Sequence, residues 1–217
     1  MATIFWRIIK DRRILLLIYC LASIALLWMY IAFFPAIKDQ SASLEQLIKS
    51  YPESFLKAFN FDIKSFTTIE GFLATEQFSF VWPMVGIFMM IGFAGQAFAG
   101  EIEKGTIEIL LSQPISRLKL FISRYLAGVF MLAIFVFFSI YAGPPLSAAH
   151  SISFQAENFT TLAILAFIFA LSVFSLGMFL SAIFSDRGKV FFISGSIIVA
   201  MYVLNIVASI KESLADL

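Results

Sequence analysis

FTTLAILAFIFALSVFSLGMFLSAIFSDRGKVFFISGSIIVAMYVLNIVASI, residues 159–210, holds two apolar runs parted only by Ser185-Asp186-Arg187-Gly188-Lys189. Neither run, 159–184 or 190–210, contains a charged side chain or a histidine. A helix needs roughly 20 mainly apolar residues to cross the hydrocarbon of a bilayer. Both runs are long enough. So tight a polar turn between them forces an antiparallel helical hairpin.

The rest of the chain extends this pattern. Another run covers 14–37, behind the basic residues Arg7, Lys10, Arg12 and Arg13. It is longer than the roughly 7–15 apolar residues of a secretory leader, which favours a retained anchor. A run over 78–100 is interrupted by Pro83, and one over 120–142 is stopped by Gly143-Pro144-Pro145. Composition agrees: 61% of the 217 residues are hydrophobic and 13% charged, too much apolar surface for a water-soluble domain. The sequence therefore predicts an all-α, polytopic membrane helix bundle, a single transmembrane domain with about five transmembrane helices.

Basic residues are retained on the cytoplasmic side of a membrane. With the N-terminus inside, every arginine (Arg7, Arg12, Arg13, Arg117, Arg124 and Arg187) falls on the inner side, joined by Lys10, Lys104, Lys119 and Lys189. The outer side keeps Lys38, Lys49, Lys57, Lys64 and Lys211, outnumbered there by acids. Within the outer segment 38–77, Leu44, Leu47, Ile48, Tyr51, Phe55 and Phe59 recur at helical spacing, and Ser43 with Gln46 forms a capping-box pattern. This predicts an external amphipathic helix broken near Pro52, then a short second one through Phe66 and Ile69 that ends by Gly71. Residues 1–13 set Ile4, Phe5, Ile8 and Ile9 against Arg7, Lys10 and Arg12, the pattern of an interfacial elbow feeding the first span.

Several chemistries are excluded. A net charge of +1 gives no basic footprint for nucleic acid. Cys20 and His150 are each the only residue of their kind, too few for a disulfide or a zinc site. Cys20 reads as a small buried hydrophobe and His150 as a loop residue. The spans as drawn hold no Asp, Glu, Lys or His, so the mid-membrane relays of ion-driven carriers are missing; Arg124 enters the third by about one turn. Residues 100–106, GEIEKGT, mimic a phosphate-binding loop but place Thr106 where the lysine belongs. No catalytic constellation and no cofactor site is visible, and the chain does not read as an enzyme. Asn158-Phe159-Thr160 forms a glycosylation sequon too close to a span to be used. Ser172, Ser175 and Ser181 in the fourth span, and Ser194, Ser196 and Asn205 in the fifth, could line a translocation path; hydrogen bonding between helices is the plainer role for each.

Residues 100–128, GEIEKGTIEILLSQPISRLKLFISRYLAG, form the most distinctive segment. Acids at Glu101, Glu103 and Glu108 leave the membrane, and a short amphipathic helix carries Ile107, Leu110 and Leu111. Pro114 breaks it, and Ser116 can cap the next helix, which re-enters with Arg117, Lys119 and Arg124. Residues 101–119 thus read as an ordered elbow between two spans. The segment resembles the signature of the ABC type-2 permease family in Glu101, Glu103, Gly105, Thr106, Glu108, Leu110, Leu111, Pro114, Ser116 and Arg117. The similarity extends more loosely to FSFVWP at 78–83, to the turn at 185–189 and to the basic N-terminus.

The resemblance implies an exporter-like permease subunit in the plasma membrane of a bacterium or archaeon. It implies a paired permease subunit, either a homodimer or a heterodimer, and a separate ABC ATPase that carries ATP and Mg. The ten residues just named would be the coupling contact with that ATPase. The family usually has six spans with both ends inside, so the resemblance implies either a sixth helix beyond Leu217 or an atypical member of the family. Two rival readings remain: a channel or carrier needing no ATPase, and a membrane scaffold that transports nothing.

Overall fold

The computed structural model describes residues 2–39, 68–154 and 159–215. Among these residues the chain is helical throughout, without a strand, and five helical stretches are long and apolar enough to cross a membrane. The polytopic helix bundle expected from the sequence is what is found.

Helix α1, Ala2–Asp39, is one unbroken rod. The expected division into an elbow over 1–13 and a span over 14–37 is not seen. No glycine or proline lies between Ile9 and Leu16, and the intervening Lys and Arg are good helix formers, so nothing ends the helix there. The apolar side of this stretch packs inward: Ile8 and Ile9 join the main core and Phe5 meets Phe130 at 5.7 Å.

The second span also starts earlier than expected. Thr68 caps α2 (Ile69–Leu73), its side chain accepting from the Gly71 amide at 3.2 Å. The helix runs through Gly71 instead of ending there, widens into a π-helical stretch over Ala74–Val81, and continues as α3, Trp82–Ala97. Pro83 explains the widening: it has no N–H, and its ring would strike the carbonyl four residues back, so the preceding turns slacken. The Ser79 hydroxyl takes up a released carbonyl, donating to Ala74 O at 2.7 Å. Of the expected external segment 38–77, residues 40–67 lie outside the described residues, and 69–77 belong to the second span.

After α3 come two short helices, α4 (Ala99–Glu103) and α5 (Ile107–Leu111), and then the third span, α6, Arg117–Tyr141. The glycine and prolines after it stop α6 as expected, but the chain at once restarts as α7, Gly143–Ala149. Prolines fit a first helical turn, where the missing N–H has no intrahelical partner to lose. His150 caps the end of α7 rather than lying in an open loop, 6.4 Å from the Trp28 ring. The last two spans are α8, Phe159–Ile183, and α9, Arg187–Ala215. Asp186 starts α9, its carboxylate accepting from the Lys189 amide at 3.0 Å.

Neighbouring spans alternate in direction, which gathers the arginine-bearing starts of α1, α6 and α9 at one end. α3 packs most closely on α8, and α1 on α6. Lipid is as apolar as a leucine, so close fit rather than escape from water holds such helices together. A Cβ on Gly177 would lie 2.7 Å from the Ala94 Cβ, so α8 and α3 nearly touch there. Lower in the core Trp82 stacks on Phe135 at 5.5 Å and donates its indole N–H to Ser139 at 2.8 Å. Cys20 is buried in this core. α9 differs from the rest: Val190 and Ser194 are buried near its start, while Val199, Met201, Val203, Leu204 and Val207 face outward.

Candidate functional site

The elbow hangs from a break in the second span. At Phe98 the backbone leaves helical geometry (φ −127°, ψ −54°), freeing amides inside the bundle. Ser181 of α8 repairs this. Its hydroxyl oxygen accepts from both the Phe98 and Ala99 amides at 3.1 Å. A neighbouring helix thereby satisfies donors that lipid could not.

Beyond the break the turns are built from their own residues. Gly105, at φ +70°, closes α4 in the left-handed conformation that glycine alone adopts without strain. Its amide donates to Ile102 O at 2.9 Å and the Thr106 amide to Glu101 O at 2.9 Å, the paired bonds of a Schellman cap. The Thr106 hydroxyl also bonds the Glu101 carboxylate. Glu103 reaches across to α9, accepting from the Arg187 amide at 3.2 Å and pairing with its guanidinium at 3.9 Å. Ser116 caps α6, accepting from the Lys119 amide at 3.3 Å.

Five of the ten elbow residues singled out from the sequence, Glu101, Glu103, Gly105, Thr106 and Ser116, are thus engaged in shaping the elbow itself. The others face outward or nearly so: Glu108, Leu111, Pro114 and Arg117 are exposed and Leu110 is half-buried. No residue of α5 is buried. Its most exposed apolar side chain, Ile109 at 66%, was missed by the sequence reading, as was Leu118 at the start of α6 at 68%. Sequence spacing places Ile107, Leu110 and Leu111 on one face, but a five-residue helix is too short for that face to predict exposure.

Under the elbow lies a cavity of about 200 Å³. Arg12, Gln96, Glu101, Lys104 and Arg124 line its polar side, and Phe93, Met131, Phe174 and Met178 its apolar side. Arg124 is only 9% exposed, lies 4.9 Å over the Phe98 ring, and its Nε has no hydrogen-bond partner among the described residues. Arg12 donates to Gln96 Oε1 at 3.2 Å and sits 5.7 Å over Phe93. The Glu101 carboxylate acts electrostatically on both guanidiniums. The sequence carried a partial signal for this cluster: Arg124 is the basic residue set deepest in its span, while Arg12 is one of two adjacent arginines at the mouth of the first.

The polar residues considered for a path are not brought together: Ser181 is taken up by the break in the second span, and Ser196 is exposed. Ser172 is exposed and donates to its own helix at Ile168 O, 2.9 Å. Ser175 bonds Tyr125 at 2.7 Å, joining α8 to α6. Ser194 is buried, its hydroxyl without a partner among the described residues, and Asn205 is exposed on α9.

A family model described as ABC-2 family transporter protein matches residues 4–216. No curated protein and no solved structure matches the chain.

Proposed function

Because the chain belongs to the ABC-2 transporter family, whose members are membrane-spanning transport permeases, we propose that it is a permease subunit driven by a separate ATPase, and that it exports its substrate. The observation that carries this reading is the elbow. Its turns are internally satisfied and tied to α8 and α9, yet α5 offers Ile109 and Leu111 to solvent with Glu108 and Arg117 beside them. Apolar side chains on a rigid, charged projection are the material of helix-in-groove recognition, with the charges fixing register. ATP and Mg would be held by the partner, which bends the elbow as it closes. The arginine-rich end of the bundle supports a cytoplasmic placement of the elbow and the N-terminus in a plasma membrane. Pairing with a second permease subunit follows from the same family reading, and the outward apolar face of α9 is free to meet lipid or that subunit.

Leu111→Asp tests the contact. A charge left unpaired in a dry interface costs about 3–5 kcal/mol, whereas the spans are untouched. Wild-type protein purified from its own membranes is expected to bring down a nucleotide-hydrolysing subunit. Leu111→Asp is expected to lose that subunit and substrate-stimulated hydrolysis while still inserting. A Leu111→Asp protein that keeps its ATPase and transports normally would reduce the elbow to a turn.

A further inference from the structure

We propose that the cavity beneath the elbow is a binding site for the phosphate headgroup of an anionic lipid, with its hydrocarbon lodged in an adjoining apolar cavity. The inference needs no ATPase partner; it requires only that the arginine-rich end of the bundle lie at a membrane interface.

Arg124 opens the case. A buried guanidinium left with an unpartnered Nε is costly, and phosphate is one of the oxyanions whose geometry a planar, charged donor fork matches. Arg12 and Lys104 line the same cavity, facing the carboxylates of Asp11 and Glu101. Three cations against two acids leave an excess of positive charge, as an anion site requires. At about 200 Å³ the space far exceeds the roughly 10–15 Å³ that one water needs.

A second cavity indicates what kind of anion. It has a volume of about 460 Å³ and lies between α1, α3 and the start of α9, where Leu15, Tyr19, Met89 and Phe191 give it an apolar wall. Arg12 and Gln96 line both cavities and form the boundary between them. A charged chamber joined through one arginine and one amide to an apolar chamber matches a molecule with a phosphate at one end and hydrocarbon at the other. Gly92 borders open space in the apolar chamber: a Cβ placed there would meet nothing within 4 Å.

The test uses the full chain reconstituted in phosphatidylcholine bilayers doped with phosphatidylglycerol, then extracted in detergent, with retained lipid counted by native mass spectrometry. Wild type is expected to keep phosphatidylglycerol in preference to phosphatidylcholine. Arg124→Gln and Arg12→Gln are each expected to lower that retention about tenfold or more, the loss of one charge-assisted contact to phosphate. Arg12 is only partly buried, so its variant keeps the test alive should Arg124→Gln fail to fold. Gly92→Leu, which adds no charge and projects a side chain into the apolar chamber, is expected to lower retention as well. Arg13→Gln, an exposed neighbour outside both cavities, is expected to retain it. Unchanged retention in Arg12→Gln and Arg124→Gln, or an equal loss in Arg13→Gln, overturns the proposal. Displacement of the lipid by millimolar inorganic phosphate, together with full retention in Gly92→Leu, would assign the chamber to free phosphate and overturn the lipid.

Discussion

At its arginine-rich end the second span breaks at Phe98 and hands both freed amides to Ser181; at the other end it slackens into the π turns of Ala74–Val81 and carries Gln77 into the core. Gln77 is fully buried, and neither amide atom of its side chain has a hydrogen-bond partner among the described residues. A satisfied buried donor is close to neutral in stability, whereas an orphaned one costs about 1–3 kcal/mol. The two irregularities of one helix therefore have opposite energetic characters. The break that carries the elbow is held by a neighbour, while the slackened end retains an unspent polar group.

Gly177→Val is the most forceful way to break this contrast. Gly177 meets Ala94 one helical turn away from the Ser181–Phe98 contact, so extra bulk pushes α8 off α3 and pulls the hydroxyl away with it. Overpacking and lost bonds together are expected to cost about 3 kcal/mol in detergent-titrated unfolding followed by circular dichroism. Ser181→Ala removes only the acceptor. A loss of about 1–3 kcal/mol is expected, with faster amide exchange at Phe98 and Ala99. Wild-type exchange at both amides would mean that the break does not depend on α8. Gln77→Leu gives the smallest effect and the opposite sign: stability unchanged or raised by up to about 2 kcal/mol, since no bond is lost and a buried amide is removed. A clear destabilisation would reveal a partner for Gln77 and erase the difference between the two ends.

The spans were legible because each is a long uncharged run, and that signal survives ignorance of everything around it. Ser116 as a cap was equally legible, since its role depends on residues within one turn. The merger of residues 2–13 into α1 was not. The amphipathic pattern there is real, but the same apolar face suits a membrane surface or a neighbouring helix, and only Phe130 and the core decide which. Pro83 announced an interruption without saying that the chain would widen rather than kink. Ser181 was legible as a polar group suited to bonding between helices, but not its partners, because the donors it satisfies are more than 80 residues away in sequence. The elbow was visible as a segment, yet which of its side chains are spent on its own turns depended on three-dimensional closure, as with Glu103 and Arg187.

That last pairing ties the base of α9 to the elbow. Glu103 contacts the first residue of α9 through both its backbone and its side chain, so a shift of α4 would either break these exposed contacts or carry the base of α9 with it. At 29 residues, α9 is a rod about 43 Å long. It is anchored by Val190 and Ser194 near its base and lightly packed along the rest of its described length. A tilt of a few degrees at its base would sweep the far tip sideways through several ångströms, so a small displacement of α4 would be amplified along the rod.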